Sequence, residues 1–140
     1  MPGTDSASIL KIGLPKGSLE EPTIKLFANS GWKVEKRNRN YFPQINDPEL
    51  TARLCRVQEI PHYVADGTLD AGLTGKDWIL ESQEDVMVVA DLIYSKASNR
   101  PARWVLAVAG DSPFQKPEDL AGKRVATEIM GLTERYFKEK

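Results

Sequence analysis

Ile9-Leu10-Lys11-Ile12-Gly13-Leu14-Pro15-Lys16-Gly17 opens the structured part of the chain. Residues 9–14 form a compact apolar run, interrupted only by Lys11 and Gly13, and predict a strand. Pro15-Lys16-Gly17 stops it. Beyond the turn, Leu19, Thr23, Ile24, Leu26 and Phe27 fall on one face at helical spacing, and Gly31 fits the helix C-cap. The helix start reads two ways. Ser18 and Glu21 fit a capping box, whereas Pro22 suits a first turn and moves the cap toward Glu21. Strand, short turn and amphipathic helix make the repeating unit of an α/β fold with parallel strands.

The remainder follows the same alternation. Trp32 and Val34 alternate with Lys33 and Glu35, as in a half-buried strand. Residues 41–45 and 50–57 read as an antiparallel strand pair joined by Asn46-Asp47-Pro48. Pro61 starts a short helix that Gly67 stops, residues 70–74 form a brief strand, and Gly75 turns it into a helix through Trp78 and Leu80. Residues 86–92 are nearly all apolar, as expected of a central strand covered on both faces. The polar stretch 95–103, with Arg100-Pro101, reads as a crossing between lobes. Strands are expected at 104–109 and, after Leu120-Ala121-Gly122, at 124–127, and a last helix at 132–140. The expected organisation is a flexible tail (1–8), a first α/β lobe (9–102) lacking its returning strand, and the start of a second lobe (103–140). A final helix with no following strand reads as an incomplete chain.

Composition narrows the function. The 140 residues carry 19 Lys+Arg against 20 Asp+Glu, a net charge of −1, which gives no footprint for nucleic acid or an anionic membrane. No apolar stretch approaches the roughly 20 residues of a membrane-spanning helix, and the first residues do not resemble a secretion signal. The single cysteine, Cys55, fits a buried apolar position in a protein of the reducing cytoplasm. The single histidine, His62, has no partner set for a nucleophilic triad, and no Cys/His spacing suits zinc. Gly72-Leu73-Thr74-Gly75-Lys76-Asp77 imitates a phosphate loop but has two residues between its glycines where four are needed. No dinucleotide fingerprint follows any expected strand.

What remains are strand ends that feed helices, and in open α/β sheets these gather at the carboxyl edge, where ligands bind. Lys16-Gly17 offers a point charge beside backbone that a ligand can approach closely. Asp70, the Gly72-Leu73-Thr74-Gly75 turn and Lys76 offer a carboxylate, a hydroxyl and an amine, expected to share one cleft. Arg56 and Arg103 are candidate phosphate clamps, and Thr127, at the end of the 124–127 strand, repeats the pattern in the second lobe.

Four segments occur in a fixed order: Leu14-Pro15-Lys16-Gly17-Ser18-Leu19, Asp66-Gly67-Thr68-Leu69-Asp70-Ala71-Gly72-Leu73-Thr74-Gly75-Lys76-Asp77, Arg103-Trp104-Val105-Leu106-Ala107-Val108 and Gly122-Lys123-Arg124-Val125-Ala126-Thr127-Glu128. As a set, over residues 9–140, they resemble the N-terminal part of the ATP phosphoribosyltransferases, the first enzymes of histidine biosynthesis. The resemblance implies a type II periplasmic-binding-protein-like two-lobe fold, here with its second lobe truncated. It implies a cytoplasmic, homo-oligomeric glycosyltransferase that joins N1 of ATP to C1 of phosphoribosyl pyrophosphate (PRPP) with inversion and loss of pyrophosphate. Substrate-bound Mg2+ is the implied cofactor, with no metal ligand assigned to the protein, and AMP and histidine are implied inhibitors of the full-length enzyme. Such chemistry needs no protein nucleophile or base; it needs two polyanions aligned and leaving charge neutralised.

Carried over residue by residue, Lys16 and Gly17 match the family's first-strand loop, Arg56 a strand-end arginine, Asp70 with Gly72, Thr74 and Gly75 the cleft segment, and Thr127 the second-lobe strand end. Ser18 stands where many members have arginine. Tyr41-Phe42-Pro43 and the 103–108 strand resemble the long form of the family, whose extra domain senses histidine. The family's PRPP loop, an acidic residue before a Thr-Gly-x-Thr turn, does not occur in these 140 residues, so the chain alone is expected not to turn over. The alternative is a noncatalytic anion-binding or effector-sensing lobe on the same fold, which fold alone does not distinguish.

Overall fold

The computed structural model describes residues 8–37, 41–94 and 103–140. Residues 1–7 of the expected tail and most of the expected crossing between lobes lie outside the described residues. The chain divides into two compact units, Met1–Asn99 and Arg100–Lys140.

In the first unit β1 (Leu10–Pro15) runs parallel to both of its neighbours, β4 (Leu50–Cys55) and β5 (Ala71–Gly72), in the order β4-β1-β5. The register pairs Leu14 with Leu54 and Gly13 with both Arg53 and Gly72. A 3-10 turn, Gly17–Leu19, leads from β1 into α1 (Glu20–Asn29), with Leu19 in the cap position and no side-chain cap hydrogen bond. Neither expected cap forms; Pro22 does sit in the first turn. α2 (Ile60–Ala65) follows β4, and α3 (Lys76–Ser82) follows β5.

Period-two alternation explains how the sheet is covered. Ile12 and Leu14 of β1, with Ala52 and Leu54 of β4, join Ile24 and Phe27 of α1, and Val34, in one cluster. The intervening positions face a second cluster of Cys55, Ile60 and Leu69. Glycines fit there because Ile60 of α2 and Leu69 beyond it lie so close. A Cβ on Gly13 would come within 2.6 Å of Leu69 Cδ1, and one on Gly72 would collide with Ile60 Cγ2. Leu14 and Ile60 are 1% and 0% exposed. At about 1.5–3 kcal/mol for each fully buried aliphatic side chain, these clusters hold the sheet together.

The expected antiparallel pair exists with a different partner. β3 (Gln44–Ile45) pairs antiparallel with β2 (Val34–Glu35), not with β4. The turn residues select that pairing: Asn46 Oδ1 accepts from Lys33 N at 2.7 Å, and Trp32 Nε1 donates to Asp47 Oδ2 at 3.0 Å. β4 pairs with β1 along one edge, where Ala52, Leu54 and Cys55 are all buried. On its other edge Leu54 N donates to Tyr41 O at 2.7 Å, so the 41–45 segment does lie against β4 without forming a ladder with it.

Three expected strands are not strands. Residues 86–92, 104–109 and 124–127 have no ladder partner among the described residues, and most of their side chains are exposed, Met87 at 82% and Val89 at 84%. A strand is defined by its neighbour; an apolar run supplies the propensity but not the second chain of the ladder. Two polar contacts, one an exposed ion pair, are made at the end of the first of these segments and just beyond it. Lys76 Nζ lies 3.0 Å from Asp91 Oδ1, and the Tyr94 hydroxyl lies 2.8 Å from the buried Thr23 hydroxyl. In the second unit, the 3-10 turn Pro117–Leu120 and α4 (Met130–Lys138) form, with Ile129 buried at the start of α4.

Candidate functional site

Parallel strands end at a common rim, so the segments after β1, β4 and β5 are brought together by topology. Lys16 N donates to Cys55 O at 2.8 Å, extending the β1–β4 ladder by one bond and setting Lys16 beside the start of the Arg56 loop. The Thr74 hydroxyl donates to Val57 O at 2.7 Å, which ties the loop after β5 to the loop after β4. Glu59 N donates to Arg56 O at 3.0 Å and turns the chain into α2. Lys16, Gly17, Arg56, Thr74 and Gly75 therefore gather at the carboxyl end of the sheet.

Gly17 adopts φ +82° with nothing within 4 Å of a built Cβ, so backbone conformation, not space, requires glycine there. Gly75 precedes α3 in extended conformation, where a side chain would strike the Asp77 carboxylate. That carboxylate accepts from Trp78 N at 2.9 Å.

The rim carries two cations, Lys16 and Arg56, and the carboxylates of Glu59 and Asp77 stand where the same loops enter α2 and α3. Lys16 Nζ sits 4.1 Å from the centroid of the Tyr41 ring, and Arg53 lies between the rings of Phe42 and Tyr63 at 5.6 and 5.5 Å. Among the described residues, neither Lys16 nor Arg56 is ion-paired. Burial pushes the Cys55 thiol above its ordinary range, although Arg53 and Lys16 pull the other way. A thiol kept protonated is a packing group, not a nucleophile.

Asp70 and Gly72 are not placed with this group. Asp70 N donates to Lys11 O at 2.9 Å, and its carboxylate accepts from Lys11 N at 2.8 Å. That is the amino end of β1, about 16 Å from Lys16 at the usual strand rise. Both carboxylate and amide of Asp70 serve the ladder there. Gly72 lies within β5 and accommodates Ile60, as described above. Arg103 and Thr127 belong to the second unit. Arg103 is exposed on a stretch with no regular secondary structure, and the Thr127 hydroxyl accepts from Ile129 N at 3.1 Å and lies 2.9 Å from the Thr133 hydroxyl, fastening the start of α4. Sequence reasoning missed Tyr41 as a neighbour of Lys16. The available signal was an aromatic pair, Tyr41-Phe42, in a strongly polar neighbourhood.

Among the described residues, no group of three or more His, Cys, Asp or Glu side chains is placed to hold a metal ion, and no helix is long and apolar enough to cross a membrane.

A parallel α/β sheet with amide- and cation-bearing turns at its carboxyl rim defines the structural class. The profile of one family, the ATP phosphoribosyltransferases, matches residues 56–140, and the chain belongs to that family. It is 75% identical over 128 residues to the ATP phosphoribosyltransferase of Nitratidesulfovibrio vulgaris strain DP4, covering 91% of this chain and 44% of that protein. It is 65% identical over 130 residues to that of Solidesulfovibrio magneticus, covering 93% and 44%. The chain thus spans under half the length of these relatives. A solved structure, the ATP phosphoribosyl transferase (HisG:HisZ) complex from Thermotoga maritima, aligns with 56% of this chain and 37% of its own at TM-score 0.48 and 26% identity. Family membership favours the transferase reading over a noncatalytic lobe.

Proposed function

We propose that the chain contributes the ATP-binding rim of an ATP phosphoribosyltransferase. In the reaction, the N1 lone pair of ATP attacks C1 of PRPP. The C1–O bond to pyrophosphate breaks with inversion, and pyrophosphate leaves with the bonding pair. Magnesium arrives on the substrates' phosphates, a role consistent with a rim built from amides and cations. The Lys16 ammonium and the Arg56 guanidinium balance polyphosphate charge, the Gly17 backbone lets it come close, and the Thr74 hydroxyl locks two loops of the rim together. Gly75 completes the turn. Arg103 and Thr127, in the second unit, are proposed phosphate contacts, and a type II periplasmic-binding-protein-like fold is the proposed architecture. The proposed setting is a cytoplasmic homo-oligomer, and AMP, which shares adenine and phosphate with ATP, is the proposed competitor.

The observation that carries this reading is the junction of the three loops by the Lys16–Cys55 and Thr74–Val57 hydrogen bonds in a chain of this family. Calorimetric titration with magnesium-ATP tests it. Lys16→Ala and Arg56→Ala each lower affinity by about tenfold, the scale of one charge-assisted contact of ~1.5 kcal/mol, and Asp70→Asn leaves it unchanged. Equal affinity in all variants contradicts the assignment. Pyrophosphate release by the 140 residues alone, supplied with magnesium and both substrates, contradicts the expectation that turnover needs the PRPP loop.

A further inference from the structure

The partner of the Lys16 ammonium is a ring, and this bears on how the rim is kept ready. Two main-chain bonds bring the pair to one place. Lys16 N donates to Cys55 O at 2.8 Å, and Leu54 N donates to Tyr41 O at 2.7 Å, so adjacent residues of β4 hold the lysine and the tyrosine. The ammonium then lies 4.1 Å from the ring centroid, well inside cation–π range. Tyr41 is 54% exposed, so core packing does not account for its ring.

The choice of partner matters chemically. A carboxylate would hold the ammonium but cancel its charge and compete with an incoming anion. An aromatic face holds it through the ring quadrupole and leaves the positive charge intact. It also restricts a long, rotamer-rich side chain before ligand arrives, lowering the ordering cost of binding. We infer that Tyr41 is a positioning residue, holding the Lys16 ammonium over its ring at the sheet rim so that a polyphosphate meets an oriented and unneutralised charge. This rests on the reading of Lys16 as a phosphate-binding group. Tyr41 acts through Lys16 and need not touch the ligand.

Two measurements on the 140-residue chain test it. The first needs no variant: the Lys16 ε-methylene proton resonance is shifted upfield by the Tyr41 ring current in the native protein. An unshifted resonance overturns the inference. The second is titration with magnesium-ATP and with inorganic triphosphate. Tyr41→Leu weakens both by about three- to tenfold, the scale of one cation–π contact, and Tyr41→Phe, which keeps the ring and drops the hydroxyl, restores the loss. Lys16→Ala weakens both at least as much, and the double variant is no weaker than Lys16→Ala alone, because the two residues act as one unit. The inference is overturned if Tyr41→Leu binds like the native chain while Lys16→Ala does not, if Tyr41→Phe fails to restore binding, or if the two losses multiply. Native affinity in Lys16→Ala, or no binding by the native chain, overturns the phosphate reading and this inference with it.

Discussion

Residues 10–15 and 86–93 are both nearly continuous apolar runs, and they meet opposite fates. The first lies between two parallel neighbours, with Leu14 1% exposed and a helix against each face of its sheet. The second has no ladder partner among the described residues and leaves Met87, Val89 and Ile93 more than four-fifths exposed. What separates them is the company each keeps. Hydrophobicity makes a segment a good strand, and only a neighbour with free N–H and C=O groups makes it one.

Substitution breaks the comparison most forcefully. Leu14→Ala costs about 2–5 kcal/mol, the usual range for an emptied core site, and Gly72→Val costs at least ~1–3 kcal/mol by forcing Ile60 out of place. Val89→Ala stays within about 0.5 kcal/mol, as at an ordinary surface position. Chemical denaturation followed by circular dichroism measures all three. A large loss at Val89 would mean that the 86–93 run is buried in solution.

The same contrast explains what was legible in the sequence. The β1 segment, its turn and α1 were readable because propensity, periodicity and punctuation agree over residues 9–31. α2 and α3 were readable from Pro61, Gly67 and Gly75. The pairing of β3 was not, because it is decided by Asn46 and Asp47 reaching back to Lys33 and Trp32, side-chain bonds that no periodicity reports. At the rim, strand-end logic placed Lys16, Arg56 and Thr74 together. It misplaced Asp70, because a strand as short as Ala71–Gly72 puts the residue just before it at the opposite end from the one just after. The close fit of Gly72 against Ile60 was also hidden: a glycine needed for packing looks like one needed for a ligand.

Exposed apolar runs carry a smaller consequence, in solution behaviour. Light scattering at high concentration detects association of the chain, since unpaired apolar segments seek partners. Val89→Lys with Val105→Lys reduces it. A monodisperse monomer at high concentration contradicts this.

The smallest effect sharpens the β2–β3 side. Hydrogen bonds from Trp32 Nε1 and from Glu49 N hold the Asp47 carboxyl below its ordinary value of 3.8. Its stabilising contribution is fully present above that value and fades as pH falls through the lower, folded-state one. Acid titration therefore changes the Trp32 fluorescence below the ordinary aspartate range, and Asp47→Asn removes that step. An unchanged profile in Asp47→Asn breaks the assignment.

In the proposed site, ligand phosphates are met at the carboxyl ends of β1, β4 and β5. Amide chemical-shift mapping during titration with magnesium-ATP reads this placement most directly. The largest changes are predicted at Lys16, Gly17, Arg56, Val57, Thr74 and Gly75, with Lys11 and Asp70 unmoved. Changes centred on Lys11 and Asp70, or spread evenly over the sheet, would contradict it.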